Sequence, residues 1–329
     1  MDLSIVVAAY NVEDFIEKCV LSCFNQDILK DRYEILVVND GSSDNTFQKL
    51  QRLSLSIDNL KIVNQQNGGL GAVRNTGLKE AIGDYLWFID GDDYIHENCI
   101  EILIDNIKKD KLDVLFLNYA IVNEAHLVVN PSANQIDLKK NILSGGEFYN
   151  EFYSKSYSWL YVFKKSLLID NNILFKERIN MQDSEIMPKI MFYANRISYL
   201  NLVAYYYYQQ ENSFTNSTNG QKRYNYFISI IEVRNSLLEL LESCANNNIL
   251  LAQGIENKIK SLNMVVFNHL VYFKYDAIWF KKIINLLKEN NFYPLKNNLS
   301  FSKKIFQLGL NRFPLISKKI IDKLLNFYN

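Results

Sequence analysis

The sequence is short of the features that would place it outside the ordinary globular class. Its four cysteines, Cys19, Cys23, Cys99 and Cys244, show no spacing typical of a disulfide framework. So few cysteines in a chain of 329 residues are typical of a reducing compartment. The first residues lack the basic segment and apolar core of a secretory signal peptide. No apolar run approaches the roughly 18 residues that a membrane span needs. We therefore expect a cytoplasmic protein.

The chain also lacks a net charge, because 36 Lys and Arg residues balance 36 Asp and Glu residues. Neutrality argues against nucleic acid as the main partner. The charges are unevenly distributed, since residues 1–100 hold 8 basic and 16 acidic residues and residues 277–329 hold 10 and 2. Hydrophobic content of 48% indicates a folded rather than a disordered chain. The length allows two domains, of which the first is acidic and the second ends in a basic tail.

An unbroken apolar run, YLWFI at 85–89, leads directly into three carboxylates, Asp90, Asp92 and Asp93. Such a run predicts a central parallel strand that is covered on both faces. Ligands bind outside the carboxyl ends of such strands, so we expect a binding site here. Crowded carboxylates repel each other, and a hard divalent cation shared with a phosphate would stabilise them. The alternative is a solvated acidic turn that caps the next helix.

Strand and helix patterns alternate four times over the first 90 residues. Strands are predicted at 3–9, 34–38, 61–64 and 85–89, with helices between them. This alternation with short connections predicts an α/β fold with a doubly wound, mostly parallel sheet. Beyond it the patterns predict a helix at 97–109, strands at 113–118, 158–163 and 202–208, and a helix from about 183 to 193. From 221 onward the pattern is helical only, which predicts domains at 1–218 and 219–329.

The glycines Gly68, Gly69 and Gly71 do not form a dinucleotide-binding fingerprint. That fingerprint requires a third glycine where this chain has Arg74, and it follows the first strand, where this chain has AAYN at 8–11. We interpret the glycines as a tight turn that brings Arg74 and Asn75 to the edge of the sheet.

Four segments occur in order at the ends of the predicted strands: SIVVAAYN at 4–11, VNDGSSD at 38–44, AVRN at 72–75 and DGDD at 90–93. Together they resemble the family 2 glycosyltransferases with the GT-A fold, over about residues 1–215. The resemblance implies a catalytic domain that transfers a sugar from a nucleotide-sugar, most simply a UDP-sugar. It also implies a glycan or lipid-linked glycan as the acceptor.

The resemblance further implies roles for single residues. The end of the first strand would line the pocket for the nucleotide base, with Tyr10 stacking on it. Asp40 would bind the edge of the uracil, although it is also suited to capping the turn. The remaining donor contacts would come from Arg74 to ribose or phosphate, Asp90 to ribose, and Asp92 to Mn²⁺ or Mg²⁺. The implied cofactor-binding set is therefore Ala8, Ala9, Tyr10, Asp40, Arg74, Asp90 and Asp92, with Asp92 as the metal ligand.

The acceptor hydroxyl needs a base, and a carboxylate can act as one. The family places it in a Glu-Asp pair at the start of a helix, which the resemblance matches to Gln182 and Asp183. Asp183 is the expected base of an inverting reaction, with Glu185 as the second choice, although Asp183 would also suit a helix cap. Three features depart from the family: Gln182 replaces a glutamate, Leu160 and Tyr161 replace polar residues, and 207–215 lacks arginine.

Two rival functions remain open at this point. A sugar nucleotidyltransferase would share the scaffold, but it needs a glycine-rich basic loop after the first strand. A catalytically silent relative that binds nucleotide or a partner subunit is favoured by Gln182 and by the missing arginines.

The carboxyl-terminal tail has apolar residues at helical spacing, with lysines beside them. Ile316, Ile320, Leu324 and Phe327 form one stripe, accompanied by Lys318, Lys319 and Lys323. A basic amphipathic helix can lie on an anionic membrane surface, so residues 301–329 are candidates for peripheral association with the inner membrane face. The alternative is a packing face with solvated lysines.

Overall fold

The computed structural model describes residues 1–123, 127–131, 142–209, 219–244, 247–296 and 300–328, with the main chain alone at 301–302 and 324–328. The chain divides into two compact units. The first contains Met1–Arg178 and Gln182–Glu211, and the second contains Ile179–Met181 and Asn212–Asn329. The predicted boundary at 218/219 and most of the arginine-free segment 207–215 fall on residues 210–218, outside the described residues.

The first unit is a mixed sheet with helices around it. Its described strands are β1 (Leu3–Ala9), β2 (Tyr33–Asn39), β3 (Leu60–Asn64), β4 (Tyr85–Asp90), β5 (Tyr94–Ile95), β6 (Val114–Val122), β7 (Val128–Asn130), β8 (Tyr161–Lys164) and β9 (Ile197–Tyr208). Its described helices are α1 (Ile16–Phe24), α2 (Thr46–Leu53), α3 (Leu70–Glu80), α4 (Cys99–Asp110), α5 (Gly145–Phe152), α6 (Lys165–Asp170) and α7 (Gln182–Tyr193).

The strand order is β3-β2-β1-β4-β8-β6-β9-β5, with β7 paired to β6. The four strands β3, β2, β1 and β4 are mutually parallel, as the alternating pattern predicts. Beyond β4 the sheet is mixed, because β8 runs antiparallel to both β4 and β6, whereas β6 and β9 are parallel. The predicted α/β fold is confirmed, and its parallel part is the half that carries the four motifs.

Burial explains why the early strands are so apolar. All seven residues of β2 are buried, and so are six of the seven in β1. These strands are covered on both faces, so alternation between apolar and polar residues is absent. The register places Ala8 opposite Asp90 and Ala9 opposite Asn39. The carboxyl ends of β1, β2 and β4 are therefore level with one another, and this edge forms the site.

Residues 158–163 differ from the prediction of one strand. They form a 3₁₀ turn, Ser158–Leu160, before β8 begins at Tyr161. The indole nitrogen of Trp87 donates a hydrogen bond of 2.9 Å to the carbonyl oxygen of Trp159 in this turn. Aromatic residues are typical of strands, but here the buried Trp159 takes part in ring packing against β9.

The second unit is helical in its described residues, as predicted. Its helices are α8 (Gly220–Cys244), α9 (Ile249–Tyr272), α10 (Ala277–Glu289), α11 (Phe301–Arg312) and α12 (Pro314–Tyr328). None of the helices in the described part of the chain has both the length and the apolarity that crossing a bilayer requires.

Lys318 in α12 is not the solvated cation that the tail pattern suggests. Its side chain is buried, and its ammonium group donates hydrogen bonds to the carbonyl oxygens of Val271 (3.2 Å) and Phe273 (2.6 Å). It also pairs with Asp322 at 2.7 Å. The amphipathic pattern could not reveal this because a lysine beside an apolar stripe faces solvent by default. Ile316 and Ile320 of the stripe are exposed, and the side chains of Leu324 and Phe327 lie outside the described part.

Candidate active site

A pocket of about 440 Å³ lies at the carboxyl ends of β1, β2 and β4. Six residues that the sequence predicts to bind the donor line it, namely Ala8, Ala9, Tyr10, Asp40, Asp90 and Asp92. The amino-terminal end of α3 closes another side through Gly69, Leu70 and Val73. The remaining two predicted residues, Arg74 and Asp183, are tied to this pocket through Asp90.

The main chain at this edge is held by hydrogen bonds between strand ends. The amide of Asp40 donates to the carbonyl oxygen of Ala9 and the amide of Gly91 to that of Ala8, both at 2.9 Å. A β-carbon at position 91 would lie 2.7 Å from the carbonyl oxygen of Ala8. The close approach of the two strand ends therefore requires the glycine between Asp90 and Asp92.

The carboxylate of Asp40 is buried and accepts hydrogen bonds from the turn before α3. Its Oδ1 accepts from the amide of Gly68 at 2.8 Å and from the side chain of Gln65 at 2.7 Å. Its Oδ2 accepts from the amide of Gly69 at 2.9 Å. The glycine-rich turn therefore positions Asp40, and Asp40 in turn binds amides at the start of α3, where a negative charge is stabilised. Both the capping role and a place in the pocket apply to this residue.

The carboxylates after β4 are in unequal environments. Burial and the neighbouring charge of Asp90 raise the pKa of Asp92 to about 6. Burial, together with the charges of Asp92 and Asp90, raises the pKa of Asp93 well above its usual value. Negative charge is thus costly here, and Asp92, which lines the pocket, is the carboxylate that a cationic ligand would stabilise.

Asp93 does not line the pocket but links the turn after β4 to β9 by hydrogen bonds. Its carboxylate accepts a hydrogen bond from the hydroxyl of Tyr205 and another, of 2.7 Å, from the amide of Tyr208. The hydroxyl of Tyr205 also accepts a hydrogen bond of 3.3 Å from the amide of Asp90. One phenol in β9 therefore fixes the backbone at Asp90 and the side chain of Asp93.

Arg74 joins the donor pocket to the predicted base. Its Nη2 lies 3.1 Å from Oδ1 of Asp90 and its Nη1 lies 2.5 Å from Oδ1 of Asp183. The arginine side chain is only 1% exposed, so both ion pairs are largely shielded from water. Asp90 and Asp183, 93 positions apart in sequence, are thereby brought to one guanidinium group.

Asp183 lies in the first turn of α7, and its side chain is 16% exposed. Burial raises its pKa, and the charge of Asp90 adds to this effect. Arg74 and the contacts with Ser158 act in the opposite direction. Glu185, the second choice for the base, is buried and pairs with Lys189 one turn further along α7. Of the two, Asp183 is the residue that the structure brings next to Arg74 and Asp90.

Residues 4–163 match the model of the family described as glycosyl transferase family 2. Residues 4–163 therefore form a family 2 glycosyltransferase domain. The chain is 30% identical over 217 residues to the uncharacterized glycosyltransferase EpsJ of Bacillus subtilis, covering 65% of this chain and 62% of EpsJ. It is 31% identical over 210 residues to the poly(ribitol-phosphate) beta-N-acetylglucosaminyltransferase TarS of Staphylococcus aureus, covering 63% of this chain and 35% of TarS. The matches thus span less than two thirds of either relative.

Solved structures confirm the GT-A fold of the chain. S. aureus TarS 1–349 in complex with UDP-GlcNAc matches with a TM-score of 0.69 at 20% identity, covering 100% of this chain and 93% of that one. The mannosyltransferase PcManGT from Pyrobaculum calidifontis, in complex with GDP-Man and Mn²⁺, matches with a TM-score of 0.52 at 15% identity. It covers 97% of this chain and 86% of that one. At these identities the likeness is one of fold.

The carboxylates of the family 2 domain fit a divalent cation that is shared with a diphosphate. Asp90 and Asp92 are hard oxygen donors in one pocket, and the raised pKa of Asp92 indicates a charge without sufficient compensation. Within the described ranges no cluster of three or more His, Cys, Asp or Glu side chains suits a metal.

Several residues that shape the family 2 site have no signal in a single sequence. Gln65 contacts Asp40 and also accepts a hydrogen bond of 2.6 Å from Thr76 in α3. Asn75 makes two hydrogen bonds, of 2.8 and 2.9 Å, with the backbone of Phe175. Tyr205 and Ser158 reach the site from segments far along the chain. The sequence predicts Asn75 at the edge of the sheet but not its contact with Phe175, and the other contacts depend on the fold alone.

Proposed function

We propose that the chain is a metal-dependent, inverting glycosyltransferase. It moves a sugar from a UDP-sugar to a hydroxyl of a glycan or lipid-linked glycan in the synthesis of a surface polysaccharide. The observation that carries the proposal is the shared guanidinium of Arg74, which sets Asp183 beside the Asp90 that lines the donor pocket. Membership of the family supports the reaction class, and the description of TarS in complex with UDP-GlcNAc supports the donor base.

The donor roles follow from the position of each group. Tyr10 is half exposed at the rim of the pocket, where its ring is accessible for stacking on a uracil. Oδ2 of Asp40 accepts from Gly69, and a carboxylate oxygen has a further lone pair for the N–H of the base. Asp90, held by Arg74, would accept from the ribose hydroxyls. These contacts orient the sugar with its anomeric carbon toward Asp183.

Asp183 would remove the proton from the acceptor hydroxyl. A base is most effective when its pKa approaches the working pH, and burial moves the pKa of Asp183 upward. The hydroxyl oxygen then attacks the anomeric carbon as the bond to the diphosphate breaks on the opposite face, which inverts the configuration. Arg74 keeps the carboxylate of Asp183 ionised and fixed in position between turnovers.

Asp92 would hold Mn²⁺ or Mg²⁺ together with the donor diphosphate. A cation bound there supplies Lewis-acid stabilisation of the charge on the departing diphosphate. The protein itself contributes the carboxylate of Asp92 and the strand edge that carries it.

Donor hydrolysis tests the proposal. UDP-, GDP- and dTDP-sugars are incubated with Mn²⁺ or with EDTA, using the wild type and Asp92→Ala. We expect release of UDP with metal only, and by the wild type only. Metal-dependent UDP binding without release from any donor would favour either an absolute requirement for an acceptor or the silent relative that Gln182 suggests. An absence of nucleotide binding would overturn the assignment of the pocket.

The acceptor and location are part of the same proposal. We infer a cytoplasmic enzyme that meets a lipid-linked glycan at the inner membrane face through residues 301–329. The exposed apolar side chains of Ile316 and Ile320, with Lys319 and Lys323 exposed nearby, support this inference.

A further inference from the structure

Four aromatic rings form a stack beside the candidate active site. The ring of Trp159 is nearly parallel to that of Tyr205, with centroids 4.5 Å apart and an interplanar angle of 12°. It is also parallel to Tyr207, at 5.7 Å and 6°, and to Tyr157, at 5.4 Å and 20°. Tyr205 and Tyr207 are neighbours on the same side of β9, while Tyr157 lies in the segment just before the 3₁₀ turn. Tyr157 is the member of the stack that faces solvent.

The inner members of the stack are rigidly held. Tyr205 is fully buried and Trp159 nearly so. The carbonyl oxygen of Trp159 accepts a hydrogen bond from the indole of Trp87 in β4, and Tyr119 packs edge-on against Trp159 at 4.9 Å. Tyr157, by contrast, is 50% exposed. The stack therefore presents one exposed tyrosine on a fixed aromatic base.

This exposed ring is connected to the site through neighbouring residues. Its neighbour in sequence, Ser158, contacts Asp183 and lowers the pKa of that carboxyl. On the other side of Trp159, Tyr207 lies within the field of Asp93, Asp92 and Asp90. Burial raises the pKa of Tyr207 to about 12, followed in order of effect by the charges of Asp93 and Asp92, by Tyr157 and by Asp90. Tyr157 is thus next in sequence to a residue that contacts the proposed base, and the stack reaches the carboxylates after β4 through the hydroxyl of Tyr205.

Two other groups of aromatic residues in the described part of the first unit do not offer such a surface. Tyr10 is equally exposed but lines the donor pocket. Tyr94 is stacked on Tyr206 at 4.8 Å and also contacted by the ammonium group of Lys18, 3.7 Å from its ring centroid. Tyr206 in turn stacks with His96 at 6.0 Å. In that cluster the rings cover one another.

We propose that the outer face of Tyr157 is the subsite for the acceptor and that it takes the ring of a hexopyranose. The C–H groups on one face of a pyranose carry partial positive charge, and the face of an aromatic ring is negative, so the two stack in contact. Stacking fixes the plane of the acceptor and leaves its hydroxyl groups at the edge, one of them toward Asp183. This inference rests on the proposed transferase function and assigns its acceptor class.

The test separates the acceptor from the donor. Release of UDP by Tyr157→Ala and by the wild type is measured with Mn²⁺ and the UDP-sugar that the wild type hydrolyses. It is measured alone and with methyl β-pyranosides of glucose, galactose or N-acetylglucosamine. We expect one pyranoside to stimulate release by the wild type. In Tyr157→Ala its KM should rise about tenfold or more, with the KM for donor within about twofold of wild type.

Three variants serve as controls. Tyr157→Phe keeps the ring and should retain the acceptor KM of the wild type. Tyr10→Ala should show the reverse pattern, with a raised KM for donor and an unchanged KM for the pyranoside. Tyr272→Ala removes an equally exposed tyrosine, 50%, from the second unit and should change neither value.

Several results would overturn the inference. They are an unchanged acceptor KM in Tyr157→Ala, an equal loss in Tyr157→Phe, or stimulation of the wild type by ribitol 5-phosphate but by none of the pyranosides. In each of these cases donor hydrolysis is intact, and the transferase function stands. Failure of the wild type to hydrolyse any donor or to bind UDP would instead remove the proposed function, and the subsite with it.

Discussion

At neutral pH the fold disfavours the ionised form of the Asp92 carboxylate. Its pKa in the folded chain is raised to about 6, whereas an unfolded aspartate has a value near 3.8. Above pH 6 the ionised group therefore lowers the free energy of unfolding. As the pH falls from about 6 to 4, the folded state takes up a proton that the unfolded state does not yet bind, and this penalty disappears.

We expect Asp92→Asn to stabilise the metal-free protein while abolishing metal-dependent donor hydrolysis. The gain in the free energy of unfolding should be at most about 3 kcal/mol at pH 7 and should vanish near pH 4. Urea unfolding at both pH values measures it. With Mn²⁺ and UDP present the order should reverse, because only the wild type gains stability from binding the metal. A variant that is less stable than wild type without metal would show that Asp92 has a structural role instead.

Arg74 balances the negative charges of both Asp90 and Asp183. Its loss should therefore change both the stability of the protein and the pKa of Asp183. Arg74→Met should lower the free energy of unfolding by about 3–5 kcal/mol, because Asp90 and Asp183 lose their buried partner. The pKa of Asp183 should rise, since Arg74 is the main influence that lowers it. The acid limb of the pH–rate profile, read from residual activity, should therefore move to higher pH.

A double variant separates the charge effect from lost packing. Arg74→Met combined with Asp183→Asn removes one of the two unpaired charges. Its cost in unfolding free energy should be smaller than the sum of the single costs by about 1 kcal/mol or more. Additive costs would mean that the ion pair contributes little and that Arg74 acts through packing on Phe175, whose ring centroid lies 5.4 Å from its guanidinium.

At the scale of elements, the turn from β3 into α3 serves two segments. Its amides bind Asp40, and Gly71 in the first turn of α3 faces the backbone at Lys176. A β-carbon at position 71 would lie 2.4 Å from the carbonyl oxygen of Lys176. One turn later, Asn75 holds the backbone of Phe175. Helix α3 therefore positions residues 175–177, shortly before Asp183.

We expect Gly71→Ala to displace residues 175–177 and to destabilise the protein by about 1–3 kcal/mol. The amide of Phe175, which donates to Asn75, should lose protection in hydrogen exchange. Gly69→Ala is the matched control: nothing lies within 4 Å of an added β-carbon there, and its cost comes from a backbone φ of +83°. Protection of Phe175 should persist in the control. Equal exchange in both variants would contradict a specific contact at position 71.

The predictable and unpredictable parts of the fold divide at β4. The apolar runs of β1, β2 and β4 indicate strands covered on both faces, and the order of motifs indicates a common edge. The direction and place of β8 carry no such signal, because an apolar run gives no information about which neighbour it pairs with or in which direction. Likewise, DGDD at 90–93 predicts a site, but the partner of Asp93 is a tyrosine 112 residues later. Contacts between residues so far apart in sequence depend on the topology of the sheet, which the local sequence does not reveal.

At the scale of the whole molecule, the tail combines exposed apolar and basic groups. Ile316 and Ile320 are 61% and 54% exposed in α12, and Lys319 and Lys323 are exposed nearby. Because Lys318 is buried against Val271 and Phe273, truncation would disturb the packing of the second unit. Point substitutions on the exposed side chains are therefore the cleaner test of membrane association.

We expect the full chain to bind vesicles of phosphatidylglycerol and phosphatidylcholine, measured by co-sedimentation. Ile316→Ser with Ile320→Ser should weaken this binding about tenfold or more through lost apolar contact. Lys319→Glu with Lys323→Glu should weaken it similarly on anionic vesicles, at about 1 kcal/mol for each charge. The controls are Leu55→Ser and Lys260→Glu, exposed positions outside the tail. Equal binding by tail and control variants would contradict the role of the tail.

The contacts of the Tyr205 hydroxyl affect when the site can form during synthesis of the chain. The ribosome produces Asp90 and Asp93 more than a hundred residues before the phenol that holds them. A nascent chain ending at residue 163 would contain the whole family match and none of β9. Contacts of such long range form slowly, and incomplete sheets with open strand edges are prone to aggregation. Such a chain is expected to depend on chaperones until β9 emerges. The site can therefore be completed only after β9 has been synthesised, although the signature motifs are present earlier.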